Sequence, residues 1–315
     1  MPSHYRFMMS GMTRATPGRR LPLTAGALLV GDTVYRHTSV RGDTPPELHA
    51  LIRRFLHELP VGSRERYAGN CAEMVLVSDR LHAAERLAGG APLTPAAARA
   101  QLWGARLSLV HIREHGDPKH ATAAAPCRTC TALLDWLGIE MDDTAGPEAV
   151  GPDTDGPATD GPATDGPATA AAIGGERAQR ARMWGLALAS HASPAGHQHP
   201  VAAAAMAAFT EFGGQTVRGT GAGAEVAGVG IVFDPLRGLH AASTLAELGA
   251  LLGARLTPIG EQDDGAGLLA VDEQGRVFVV DHTADWYAGA SVGEAIATLL
   301  EGRRPARVTD AGAWA

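Results

Sequence analysis

All three cysteines of this 315-residue chain fall in two short motifs, Cys71-Ala72-Glu73 and Pro126-Cys127-Arg128-Thr129-Cys130. A C-x-x-C at a helix start puts both sulfurs on one side of the first turn, and a third thiolate from another helix N-terminus completes a three-sulfur face. Helix N-termini favour thiolate over thiol, because their free N–H groups and dipole stabilise negative charge. Three protein ligands leave the fourth tetrahedral position open, the pattern of a catalytic zinc. Glu73, two residues after Cys71, would then take a proton from water at that position and pass protons to a ring nitrogen and a departing amine.

That division of labour is the one used by zinc nucleobase deaminases. The reading is therefore Zn2+ on Cys71, Cys127 and Cys130, with Glu73 as the catalytic proton carrier. Two other readings stand beside it. A lone C-x-x-C could be redox-active, but that leaves Cys71-Ala72-Glu73 without a role. A structural zinc would need a fourth ligand, for which His111, His115 or His120 is available. Asn70, Tyr67 and Trp103 are the candidates for touching substrate, aromatics for base stacking being scarce. Arg64, Arg66, Arg106, Arg113, Lys119 and Arg128 could line a path for a polynucleotide.

The elements that must position these residues alternate. A hairpin over about 24–38 turns at Gly31-Asp32. Thr44-Pro45-Pro46-Glu47 reads as a helix start, with Thr44 as cap and the prolines in the first turn. Cys71 to Leu87 reads as a second helix, Pro95 to Leu102 as a third, Ala105 to Ile112 as a strand and Thr129 to Leu137 as a helix. This order predicts a layered α/β domain. Farther on, helices are expected over Glu176–Ala189, Val201–Phe212, Ser243–Leu252 (capped by Ser243 or Thr244) and Ser291–Leu300. Strands are expected at Val229–Phe233, Leu268–Val271 and Arg276–Val280, the last two joined at Asp272–Gly275. Helices with an antiparallel hairpin predict an α+β domain. Trp286-Tyr287 is expected to pack beneath the last helix.

Between the two lies a seam in which D-G-P-A-T recurs three times over residues 155–169. Proline in every unit forbids a helix and the small residues offer no core, which predicts an extended, disordered linker. The expected division is 1–143, linker 144–175, second domain 176–307 and a tail 308–315. Net charge is −7 overall. Residues 1–150 hold 17 Lys+Arg against 15 Asp+Glu and the remainder 10 against 19, so a near-neutral half is tied to an acidic one that could cover it. No apolar run approaches the roughly 20 residues that span a bilayer, so no membrane partner is expected. Arg19-Arg20 before Leu21–Val30 could be a twin-arginine export signal, but a buried strand is the simpler reading. An odd cysteine count fits a reducing cytoplasm better than a disulfide framework. His191, His197 and His199 read as a solvated His-rich loop, with metal binding as the alternative.

Tyr67-Ala68-Gly69-Asn70-Cys71-Ala72-Glu73, His115-Gly116-Asp117, Pro126-Cys127-Arg128-Thr129-Cys130 and Leu133-Leu134 resemble the YwqJ-related deaminases, a branch of the cytidine-deaminase-like superfamily found among bacterial toxins. The resemblance covers about 45–140. It implies a three-layer α/β/α domain with a central sheet flanked by helices. It also implies zinc between two helix N-termini, held by Cys71, Cys127 and Cys130, with proton transfer by Glu73. Phe212-Gly213-Gly214, Phe233-Asp234-Pro235, Leu256–Glu261, Val271–Val277 and Gly302–Pro305 are similar to the third subgroup of the SUKH superfamily, over about 176–307. Members of that superfamily commonly bind and neutralise toxins encoded nearby. The expected function is hydrolytic deamination of a nucleobase, free or in single-stranded nucleic acid, by an enzyme fused to an immunity-type domain that contacts and restrains it. The alternative is a non-catalytic protein that neutralises a related toxin or senses a ligand, with the deaminase half as a regulatory partner.

Overall fold

The computed structural model describes residues 21–142, 170–219 and 221–314. Arg19-Arg20 and the D-G-P-A-T repeats lie outside the described residues.

The first unit is built on a four-stranded sheet. Strands β1 (Leu23–Val30) and β2 (Thr33–Thr38) form the expected hairpin, with Val30 opposite Thr33 and Gly31 at φ +56° in the turn. β3 (Arg106–Ile112) pairs antiparallel with β1, and β4 (Glu140–Met141) parallel with β3, giving the order β2-β1-β3-β4. Leu23 through Leu28 are all buried, as a strand covered on both faces must be. Helix α1 spans Ala50–Glu58, α2 Ala72–Leu87, α3 Pro95–Gln101 and α4 Arg128–Leu137. α2 packs on β1 and β2. Gly26 permits this close approach, since a Cβ there would stand 2.8 Å from Leu76 Cδ1 on α2.

α1 begins at Ala50, six residues after the expected Thr44. A residue before proline is disfavoured in the helical region, so neither Thr44 nor Pro45 suits a helix start, and neither lies in a helix. His49 caps the helix instead. Its Nδ1 accepts from Leu51 N at 3.2 Å, and its own N–H is anchored by Ser78 Oγ at 2.7 Å.

The second unit carries a seven-stranded antiparallel sheet, ordered β11-β10-β9-β8-β7-β6-β5. Its strands are β5 (Thr216–Val217), β6 (Ile231–Val232), β7 (Leu256–Gln262), β8 (Gly267–Asp272), β9 (Val277–Asp281), β10 (Asp285–Gly289) and β11 (Ala306–Arg307). Its helices are α5 (Ala170–Ser190), α6 (Ala203–Phe212), α7 (Ala242–Leu252) and α8 (Val292–Leu300). The expected β8–β9 hairpin and the Ser291 cap on α8 are present, Ser291 Oγ accepting from Glu294 N. Trp286 is a strand residue as well as a neighbour of α8, and its Nε1 donates to Asp281 Oδ2 at 2.7 Å. The end of the chain is packed too, Trp314 stacking on Tyr287 with ring centroids 5.1 Å apart.

The cap of α7 differs from expectation. Neither Ser243 nor Thr244 caps it by its side chain. The Glu114 carboxylate of the first unit accepts from Ser243 N at 3.2 Å and from Thr244 N at 2.6 Å. This is one of many bonds across the seam. Gly223 N donates to Gly62 O at 2.9 Å, and Ala227 N to Arg64 O at 2.7 Å. A Cβ on Gly62 would meet Gly223 O at 2.1 Å, so the two backbones touch only because Gly62 lacks a side chain.

Candidate metal centre and cleft

Cys71 is the N-cap of α2 and Cys127 the N-cap of α4, whose first turn carries Cys130. Cys127 Sγ accepts from Cys130 N at 3.4 Å. The three Sγ atoms lie within 4.8 Å of one another and form a group that could hold a metal ion. Tetrahedral zinc, with Zn–S bonds of about 2.3 Å, needs sulfurs roughly 3.8 Å apart, so the set fits. Without metal, Cys127 is held well below the usual thiol range by hydrogen bonds from Cys130 and Cys71. The other two thiols, which share these bonds and are buried, are pushed up. Of the three sulfur-bearing residues, Cys127 is the one that lines the cleft.

Glu73 sits in the first turn of α2 and is only 3% exposed. Burial, and then the Cys127 thiolate, push its carboxyl up to about 7, while hydrogen bonds from its own backbone N–H and from Cys130 oppose the rise. A carboxyl balanced near neutrality beside a metal-binding face can both accept and return a proton. No histidine belongs to the three-sulfur group. His111 lines the same cleft, and its Nδ1 accepts from Arg113 Nη2 at 3.1 Å. Burial, with Arg113 and Lys119 nearby, pulls His111 down to about 4.

Glu73 and Cys127 open into a cleft of about 730 Å3. Tyr67 lines it, buried, and its hydroxyl has no hydrogen-bond partner among the described residues. Asn70 donates to Val40 O at 3.2 Å and faces a neighbouring groove. Trp103 is 85% exposed and does not line the cleft. Of the six cations singled out from the sequence, Arg113, Lys119 and Arg128 line the cleft and Arg66 lies at the seam beside it. Arg64 donates to the Leu59 and His57 carbonyls, and Arg106 faces Asp142 at 4.0 Å.

The opposite wall comes from residues that sequence reasoning did not single out. Asp263, Asp264 and Ala266, from the turn between β7 and β8, and His282, after β9, line the cleft from the second unit. The His282 ring meets Tyr67 edge-on, centroids 4.9 Å apart. Nothing local in the chain marks these residues, because only the seam brings them there. His199 Nε2 donates to Leu239 O at 2.8 Å, and the His191/His197/His199 loop forms no metal-binding group among the described residues. One other such group exists, His49, His82 and Glu85. His49 Nδ1 accepts from Leu51 N, and its Nε2 lies 2.9 Å from Glu85 Oε1.

No curated protein and no solved structure matches the chain. Two families do. Residues 175–302 match the SUKH-3 immunity proteins and residues 9–139 the YwqJ-like deaminases. The second match contains the three sulfurs and Glu73, and the first contains the wall that faces them. The chain joins a YwqJ-like deaminase domain to a SUKH-3 immunity domain.

Proposed function

We propose that the first domain is a zinc-dependent hydrolytic deaminase acting on a nucleobase, and that the immunity domain restrains it in the same chain. The observation that carries this reading is the three-sulfur group with buried Glu73 beside it. When bound, zinc supplies the Lewis acidity that makes water a nucleophile near neutral pH. Cys71, Cys127 and Cys130 would hold it. Glu73 would take a proton from the attacking water and deliver it to the ring nitrogen next to the amino-bearing carbon, then take the remaining proton of the added hydroxyl as the carbonyl forms and pass it to the departing amine. Tyr67 supplies a ring face and an unpartnered hydroxyl to orient the base. Three free thiols suit a reducing cytoplasm, where they stay available to metal. Among the described residues no helix is long and apolar enough to cross a membrane.

The test is metal content and ammonia release by the whole chain, supplied with cytidine, adenosine and guanosine compounds and with single-stranded DNA and RNA. We expect one zinc per chain, kept by Glu73→Gln and lost by Cys127→Ser, and ammonia release that Glu73→Gln abolishes. Zinc binding with no ammonia from any substrate, even with the seam loosened, would favour the non-catalytic toxin-neutralising or ligand-sensing role.

A further inference from the structure

Four cations of the first domain bond to groups of the other domain across the seam, although Arg128 is also held by Glu65 of its own domain, and the guanidinium of Arg113, which lines the cleft, bonds to Leu23 O and His111 of its own domain. Arg66 Nη2 donates to Asp281 Oδ2 at 2.8 Å, and Lys119 Nζ to Glu261 Oε2 at 3.1 Å. Arg41 Nη2 donates to Asp285 Oδ1 at 2.5 Å. Arg128 Nη2 donates to the Gly228 carbonyl at 3.1 Å. Between these pairs a flat nitrogen ring, His282, lies against Tyr67, the aromatic that lines the cleft with Glu73 and Cys127.

Carboxylates paired with several cations, with an aromatic heterocycle edge-on to a tyrosine among them, have the chemistry of a single strand of nucleic acid. Such strands are bound through their phosphates by Lys and Arg and through base stacking on aromatics. Deamination of a small molecule needs no cations outside the cleft, such as Arg66 and Arg41, which do not line it. Resting on the deaminase reading above, we propose that the SUKH-3 domain is seated as a nucleic-acid mimic, and that the substrate it displaces is a single-stranded polynucleotide. Asp281, Glu261 and Asp285 stand in for phosphates, and His282 for the base. Strand and immunity domain therefore exclude one another, and opening the seam is the step that exposes the enzyme.

Binding tests this without turnover, so an inactive enzyme leaves it informative. The probe is a fluorescein-labelled single strand of mixed sequence, about 15 nucleotides long, made as DNA and as RNA. It is titrated against the full-length chain and read by anisotropy. The seam is loosened in two independent ways: Glu261→Gln with His282→Ala, which removes mimic groups, and Gly62→Ala, which forces the Gly62–Gly223 contact apart. Each should bind one of the strands at least roughly tenfold tighter than the unaltered chain, and added Lys119→Gln should lower the salt slope by about one. If the His282 change costs the fold, Gly62→Ala carries the test alone. Equal strand binding by the unaltered and loosened chains overturns the proposal. So does ammonia release from free nucleosides but from neither strand, a result that leaves the deaminase reading intact.

Discussion

Arg66 and Asp281 stand 215 residues apart in the chain and form one buried ion pair, the guanidinium donating to Asp281 Oδ2 from Nη2 at 2.8 Å and from Nε at 3.2 Å. Both side chains are almost fully buried. Asp281 Oδ2 also accepts from Trp286 Nε1, and its other oxygen from Thr283 N, Thr283 Oγ1 and Ala284 N. Although burial raises its pKa, Arg66, His282 and the bonds to Thr283 outweigh that and hold the carboxyl below its usual range. Removing one partner of such a pair leaves a buried charge uncompensated, at a cost of about 3–5 kcal/mol. Urea denaturation should show Arg66→Ala destabilised by about that amount, and Asp281→Ala by at least as much. Stabilities within about 1 kcal/mol of the parent chain would mean that the pair does not hold the seam.

Glu114 does for α7 what a serine or threonine cap does elsewhere, but from another domain. Loss of a cap costs about 1–2 kcal/mol. Glu114→Ala should therefore lower stability by about that much and speed amide hydrogen exchange at Ser243 and Thr244. Unchanged exchange there would show the carboxylate to be idle.

Metal should stabilise the first domain, because the sulfurs gather only in the folded chain. A ligand present at about 100 times its dissociation constant adds about 2.7 kcal/mol. Chelator should lower the thermal midpoint of the unaltered chain and leave Cys127→Ser, already without metal, where it was. Equal shifts in both would contradict a site at these cysteines.

His111 sets a pH dependence. The unfolded imidazole titrates near 6.5, the folded one at about 4, so above 6.5 both forms are neutral and nothing is gained or lost. As pH falls from about 6.5 to about 4 the unfolded chain takes a proton that the folded chain refuses, and stability declines. Urea midpoints between pH 7 and pH 5 should fall less steeply for His111→Asn than for the parent chain. Parallel slopes would show that His111 titrates normally.

The three-sulfur group was legible because each of its two motifs is local: Cys71 and Cys127 are N-caps at the start of their helices, and Glu73 follows Cys71 within one turn. The hairpin at Gly31-Asp32 was legible for the same reason. The start of α1 was not, since His49 becomes a cap only when Ser78, on α2, anchors its backbone. Strand β10 was missed because Asp285-Trp286-Tyr287-Ala288-Gly289 is buried almost throughout and shows no alternation. His282, Asp263, Asp264 and Glu114 act across a seam between distant segments, and periodicity and capping rules see only neighbours in sequence.

The central claim is that three sulfurs hold one metal and leave a corner open beside Glu73. X-ray absorption at the zinc edge of the zinc-loaded full-length chain tests it most directly. Three sulfur neighbours at about 2.3 Å and one lighter neighbour, with no histidine pattern in the outer shells, is the expected result. A shell containing imidazole, or fewer than three sulfurs, would contradict it.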